Sequence, residues 1–289
     1  MKVIKAKVLG FCMGVRRAVD IAVAQAQENS SRVYTLGPLI HNPKALADLE
    51  ALGIQSIDED SLSARNCTVI IRAHGVSPAA EQKLREKGCR IVDATCPRVK
   101  TNQLKTQELS RAGFSLFLAG EAEHAEIKGL LGYSGEAHFC TVTGSADEAR
   151  EKAAHLFEKN KNAKTALLGQ TTISEEEYKN IAEEIKKYFP DLQIIKTICA
   201  ATGERQNALR ELLLETEAVI IAGGKESANT RRLLAIAQKS GKPCVLAENA
   251  AQIPSFFRNY EKIGLCAGAS TPDQVIDEIE CELVSVTEH

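Results

Sequence analysis

The chain has no tryptophan, and only 4% of its 289 residues are aromatic. A surface that stacks bases or sugar rings is therefore disfavoured. It also lacks a basic run: 36 Lys and Arg against 38 Asp and Glu are spread along the sequence, for a formal charge of -2. Bulk neutralisation of a nucleic-acid backbone is disfavoured on that ground. No stretch approaches the roughly 18 uninterrupted apolar residues of a membrane span. The N-terminus, MKVIKAKVLGFCMGVRR, alternates lysine with apolar residues and then turns basic instead of ending in a small-residue cleavage site; it reads as a β-strand of a cytoplasmic protein. The closely spaced C-x-x-C pairs of structural zinc sites are missing, and so is the G-x-x-x-x-G-K-[ST] loop of ATP hydrolysis.

What is present begins with a hydrophobic content of 44%, enough for one large core or two to three small ones. Short apolar, β-branched runs recur at Val33 to Leu36, Thr68 to His74, Phe114 to Gly120, Lys164 to Gln170, Ala218 to Gly224 and Lys242 to Glu248. Amphipathic stretches such as RRAVDIAVAQAQE, EEYKNIAEEIKKYF and NTRRLLAIAQKSG lie between them. Strand followed by helix, repeatedly, predicts parallel sheets with helices on their faces and chemistry at the carboxyl ends of the strands.

The chain holds nine cysteines, and a reducing cytosol keeps such residues as thiols. Three of them share a context: GFCMGVRRAVDIA around Cys12, DATCPRVKTNQL around Cys96 and TICAATGERQNALREL around Cys199. In each, an apolar segment ends at a cysteine, turn-forming residues follow, and a helix carrying Arg16, Arg98 or Arg205 begins. The repeat predicts three α/β units, each presenting one thiolate near a helix N-terminus, where partial positive charge favours the anion. Three such thiolates suit iron-sulfur chemistry, and three ligands for four irons leave one iron open as a Lewis acid. Cys67, Cys89, Cys140, Cys244, Cys266 and Cys281 lie in apolar strand patterns or on helices and read as small hydrophobes or surface residues.

Three histidines, His41 in HNP, His74 in RAHGV and His124 in AGEAEHAEIKG, stand just after strand-like or turn segments, where they are able to donate to phosphate oxygens. Glu126 follows His124 by two residues. The segments GQTTIS, GGKESANTRRL and AGASTPDQV offer Gly, Ser, Thr and Asn at strand-to-helix turns, which serve as anion sites or as ordinary helix caps.

In that order, GFCMGVRRAV, HNP, RAHGV, DATCP, the H-x-E of His124 and Glu126, QTTIS, TIC with Arg205-Gln206, GGKESANT and GASTPD run from residue 10 to residue 273. Together they closely resemble the LytB or IspH family, the 4-hydroxy-3-methylbut-2-enyl diphosphate reductases of the non-mevalonate isoprenoid pathway. The resemblance implies three small parallel-sheet α/β domains in a pseudo-threefold trefoil around a central iron-sulfur cluster. The expected domains span 13–96, 97–196 and 197–281, with an N-terminal strand 1–12 near the centre and a C-terminal tail 282–289. It implies a 4Fe-4S cluster on Cys12, Cys96 and Cys199 with one open iron. His41, His74, His124, Thr171, Ser227, Asn229 and Ser270 are the implied substrate-binding residues, and Glu126, His124 and Thr171 the catalytic ones. The implied reaction removes the allylic hydroxyl to give isopentenyl and dimethylallyl diphosphates, with electrons from a ferredoxin or flavodoxin and no nucleic-acid or membrane partner. The chain departs from the family pattern at Glu121, where a histidine is usual, and at Ala228, where a second serine is usual. Two alternatives stay open: a related 4Fe-4S enzyme acting on another anionic hydroxylated substrate, and a non-catalytic electron carrier or redox sensor.

Overall fold

A computed structural model describes residues 1–28, 32–58, 65–135 and 137–285. In chain order the elements begin with β1 (Lys2–Lys5), α1 (Met13–Glu28), β2 (Val33–Leu36), α2 (Pro43–Ala51), β3 (Gln55–Ile57), β4 (Thr68–Ile71), α3 (Pro78–Glu86) and β5 (Arg90–Asp93). They continue through α4 (Pro97–Arg111), β6 (Ser115–Ala119), α5 (Ala125–Ser134), β7 (Cys140–Thr143), α6 (Ala146–Lys159), β8 (Thr165–Gly169), α7 (Glu175–Lys186) and β9 (Gln193–Ile194). The chain then forms α8 (Ala200–Glu215), β10 (Ala218–Ala222), α9 (Ala228–Lys239), β11 (Cys244–Ala247), β12 (Lys262–Ala267) and α10 (Asp273–Ser285). The described strands make three four-stranded sheets. The expected α/β class with parallel sheets is what the chain adopts.

Contacts divide the chain into two compact units, Met1–Ser56 with Ala200–His289, and Ile57–Cys199. The first contains the parallel sheet β1-β12-β10-β11. Along β10, side chains alternate between two cores. Ala218, Ile220 and Ala222 meet Val275, Ile276 and Ile279 of α10, while Val219 and Ile221 meet Leu209 and Leu212 of α8 and Leu233 of α9. Burial on both faces explains why AVIIA is an unbroken apolar run and not an alternating one.

The second unit repeats the scheme with the sheet β7-β6-β8-β9. Phe117 and Leu167 pack with Ala153 of α6 and Ile181 of α7, and Leu116, Leu118 and Leu168 pack with Ile127 and Leu130 of α5. Strands β4 and β5 of this unit also pair in parallel. Because every such strand is followed by a crossover, strand-end turns collect on one edge of each sheet. Those turns carry the motif residues. Helix α10 runs to Ser285, and residues 286–289 of the expected C-terminal tail lie outside the described residues. Among the described residues, no helix is long and apolar enough to cross a membrane.

Candidate functional site

In the first unit Cys12 sits between β1 and α1. Its N–H donates to the Ala269 carbonyl at 3.0 Å, and its own carbonyl accepts from Arg16 N at 2.9 Å, opening α1. Two residues earlier, Gly10 takes a left-handed φ of 77°, and its carbonyl accepts from Arg205 Nη2 at 2.8 Å. The three arginines that follow the cysteines are not equivalent: Arg16 and Arg98 are exposed, whereas Arg205 is buried.

His41 lies on a turn approached from two sides. Ser270 Oγ stands 3.5 Å from its carbonyl. A Cβ on Gly224 would fall 2.2 Å from the same oxygen, so only glycine lets the β10–α9 turn come this close. Beyond Gly224, Ser227 caps α9 by accepting from Thr230 N at 3.4 Å. Asn229 is buried on the first turn of α9, and its Nδ2 has no partner among the described residues. His41, Ser227, Asn229 and Ser270 thus belong to turns that meet. Asn42, which the sequence pattern did not single out, caps α2 through Oδ1 while its buried Nδ2 likewise lacks a partner among the described residues.

In the second unit an unbroken chain of contacts joins the two cysteines. Cys96 caps α4 ahead of Pro97, and its N–H donates to the Ala73 carbonyl at 2.9 Å. The adjacent His74 meets His124 edge-on, with ring centroids 5.2 Å apart. His124 caps α5, its Nδ1 accepting from Glu126 N at 3.2 Å. That bond makes Nδ1 an acceptor, so the neutral ring carries its proton on Nε2 and presents a donor there. Glu126, only 1% exposed, takes Thr171 with both oxygens: Oε1 accepts from Thr171 N at 2.9 Å and Oε2 from Thr171 Oγ1 at 2.8 Å. The Thr171 carbonyl then accepts from Cys199 N at 2.9 Å.

Gln170, also outside the expected set, braces this chain. It accepts from Glu121 N at 3.2 Å and donates to Thr172 Oγ1 at 2.9 Å. Glu121, where the resemblance implies a histidine, contributes its main-chain N–H to this contact.

The remaining cysteines fit the expected core or surface roles. Burial, with a hydrogen bond from Cys89, pushes Cys67 up to about 11, and burial pushes Cys266 up to about 12. Burial also raises Cys140 and Cys244, and Cys281 is an exposed residue of α10. Among the described residues no three His, Cys, Asp or Glu side chains are spaced for a single metal ion. The arrangement offers soft sulfur donors at helix starts, hydroxyl and amide donors for an anion, and a buried carboxylate on a hydroxyl.

Residues 3–284 match the family model of the LytB protein. A 4-hydroxy-3-methylbut-2-enyl diphosphate reductase of Treponema denticola is 41% identical, the match covering 98% of this chain and 99% of that protein. The enzyme of the same name from Aquifex aeolicus is 38% identical, with 99% and 97% covered. Among solved structures, a (E)-4-hydroxy-3-methyl-but-2-enyl diphosphate reductase described as the terminal enzyme of the non-mevalonate pathway is 36% identical, with TM-score 0.71 over 98% of this chain and 99% of that one. The E-1-hydroxy-2-methyl-but-2-enyl-4-diphosphate reductase of Plasmodium falciparum is 25% identical, with TM-score 0.88 over 96% and 86%.

Proposed function

The chain belongs to the LytB protein family, and from that premise we propose that it reduces 4-hydroxy-3-methylbut-2-enyl diphosphate to isopentenyl and dimethylallyl diphosphates. The reaction adds two electrons and two protons and expels the allylic hydroxyl as water. One observation carries the reading: a buried Glu126–Thr171 pair within a chain of contacts that starts at Cys96 and ends at Cys199.

The donor set suits an iron-sulfur group, here a 4Fe-4S cluster on Cys12, Cys96 and Cys199. Each thiol is partly exposed, each is anchored through its own amide to a turn carbonyl, and each directly precedes a helix, whose N-terminus favours a thiolate. When bound, the cluster supplies the electrons and an open iron for the substrate oxygen. The protein's own residues bind, orient and protonate. His41, His74, His124, Ser227, Asn229 and Ser270 are the residues assigned to donate to the diphosphate. Once protonated on Oε2, Glu126 donates to Thr171 Oγ1, 2.8 Å away, in place of accepting from it, and the threonine hydroxyl, turned outward, gives its own proton to the leaving oxygen. A one-electron protein donor of the ferredoxin or flavodoxin kind completes the cycle in the cytoplasm. The division into three domains, 13–96, 97–196 and 197–281 after the strand 1–12, belongs to the same reading.

The test is anaerobic turnover of the hydroxy-diphosphate by reconstituted protein with a reduced viologen, with products identified by mass spectrometry. Both diphosphates are expected; a fully loaded cluster that yields neither would overturn the assignment.

A further inference from the structure

Arg205 is 4% exposed on α8, and no carboxylate pairs with it among the described residues. Its guanidinium is held by main-chain oxygens only: Nη2 donates to the Gly10 carbonyl at 2.8 Å and Nη1 to the Ala201 carbonyl at 3.1 Å. The third nitrogen, Nε, has no partner among the described residues. Burying a cation without a counter-charge is strongly unfavourable, and folded proteins keep such groups where an anion compensates them. The titratable neighbour in the core, Cys266, does not supply one, because burial pushes its thiol up to about 12 even with the guanidinium nearby. The carboxylate beside Gly10, Asp273, is itself paired with Arg16 at 3.3 Å.

The two carbonyls that hold Arg205 share a relation to the cysteines. Gly10 lies two residues before Cys12, and Ala201 two residues after Cys199. A group of thiolates and sulfides at those cysteines is the anion that the guanidinium otherwise lacks.

We propose that Arg205 is the counter-cation of the cluster, a buried positive charge that raises the reduction potential and so eases entry of each electron. The proposal rests on the cluster assigned above. Each electron adds negative charge to the cluster, and a fixed cation in a poorly screened interior favours the more negative state. Arg205 touches neither substrate nor the reacting atoms; it is a positioning residue that acts through charge. Arginine suits the place because it stays protonated when buried and its fork reaches two carbonyls at once.

The experiment compares wild type, R205K and R205Q as full-length protein reconstituted anaerobically, with the reduced fraction followed by electron paramagnetic resonance in a mediated redox titration. In R205Q the ratio of reduced to oxidised cluster at a fixed ambient potential is expected to fall about tenfold, which is 59 mV for a one-electron couple; in R205K it stays within about twofold of wild type. Should R205Q fail to keep a cluster while R205K keeps one, with both cluster-free proteins melting like wild type, the charge is again what matters. A wild-type ratio in R205Q, or an equal fall in R205K and R205Q, overturns the proposal, as does loss of the cluster from both variants. A shift in R205Q beside wild-type protein that holds a cluster but turns over no diphosphate would overturn the substrate assignment alone. Wild-type protein that accepts no cluster would overturn both.

Discussion

Glu126 grips Thr171 with both carboxylate oxygens, one on the main-chain N–H and one on the side-chain hydroxyl, at 2.9 and 2.8 Å. Two bonds to one residue fix the direction of the hydroxyl as well as its position. The proton relay proposed for this pair would therefore run along a single line.

Replacing Glu126 by Gln keeps an acceptor for the Thr171 N–H and removes the titratable proton. Turnover is expected to fall by about 10²- to 10⁴-fold, the usual contribution of a general acid, with an unchanged cluster spectrum and melting temperature. An electron carrier would exchange electrons with viologen at the wild-type rate in E126Q, so measuring both activities separates the readings. Thr171→Val removes the hydroxyl and leaves Glu126 Oε2 without that bond, costing about 1–3 kcal/mol of stability as well as activity. Thr171→Ser is expected to retain both.

Gly224→Ala places a methyl group 2.2 Å from the His41 carbonyl. Because the obstacle is backbone, one of the two turns must move. Chemical denaturation is expected to show a loss of about 1–3 kcal/mol, and calorimetry a weakened affinity for inorganic pyrophosphate. An unchanged affinity would show that the His41 turn does not contribute to diphosphate binding.

Much of this was legible in the residue order, and the failures have identifiable causes. The run Val33 to Leu36 is β2 in full. The run from Thr68 to His74 ends as a strand at Ile71, because Gly75 takes a φ of 70° and turns the chain. Strand β12 escaped notice although five of its six residues are buried: Gly264 weakens its strand character, and that glycine is required because a Cβ there would lie 2.9 Å from Leu212. Strand β9 is two exposed residues, too short to show a period. The histidines, Glu126 and Thr171 announce themselves through motif order. Asn42, Gln170 and Arg205 stand inside the same motifs but without a role the pattern assigns, since what marks them is an absent or distant partner, and spacing along a chain does not encode that.

Acid and alkali should each release part of the fold near Cys96. Burial alone would raise Asp93, but the Thr95 N–H and hydroxyl together with Lys100, 3.2 Å away, hold it below the usual carboxylate range. Burial alone would lower Lys100, yet the Tyr133 hydroxyl and Asp93 leave it raised. The depressed Asp93 stabilises the fold above about pH 3.9, its unfolded value, and that contribution is lost as pH falls through the folded one. The raised Lys100 stabilises below about pH 10.4, and its contribution is lost as pH rises through the folded value. Melting temperatures of wild type and Asp93→Asn across pH are expected to converge in acid and separate at neutral pH.

Thiol reactivity should follow burial. In cluster-loaded protein, with Cys12, Cys96 and Cys199 taken up as ligands, iodoacetamide at neutral pH is expected to label exposed Cys281 first. Cys67 and Cys266, pushed up to about 11 and about 12, should stay unmodified in native protein because the thiolate is the nucleophile. Peptide mapping after timed quenching checks the order, and early loss of Cys266 would mean that its core opens.

Cys12, Cys96 and Cys199 are each tethered by a main-chain amide to a neighbouring turn, at 3.0, 2.9 and 2.9 Å. A tether made of backbone is indifferent to side-chain identity. Side chains that depart from the family pattern, such as Glu121 and Ala228, are thereby free to drift over generations while the sulfurs keep their addresses, and variants of this enzyme with altered appetite for substrate are reachable by single changes that leave the three tethers alone.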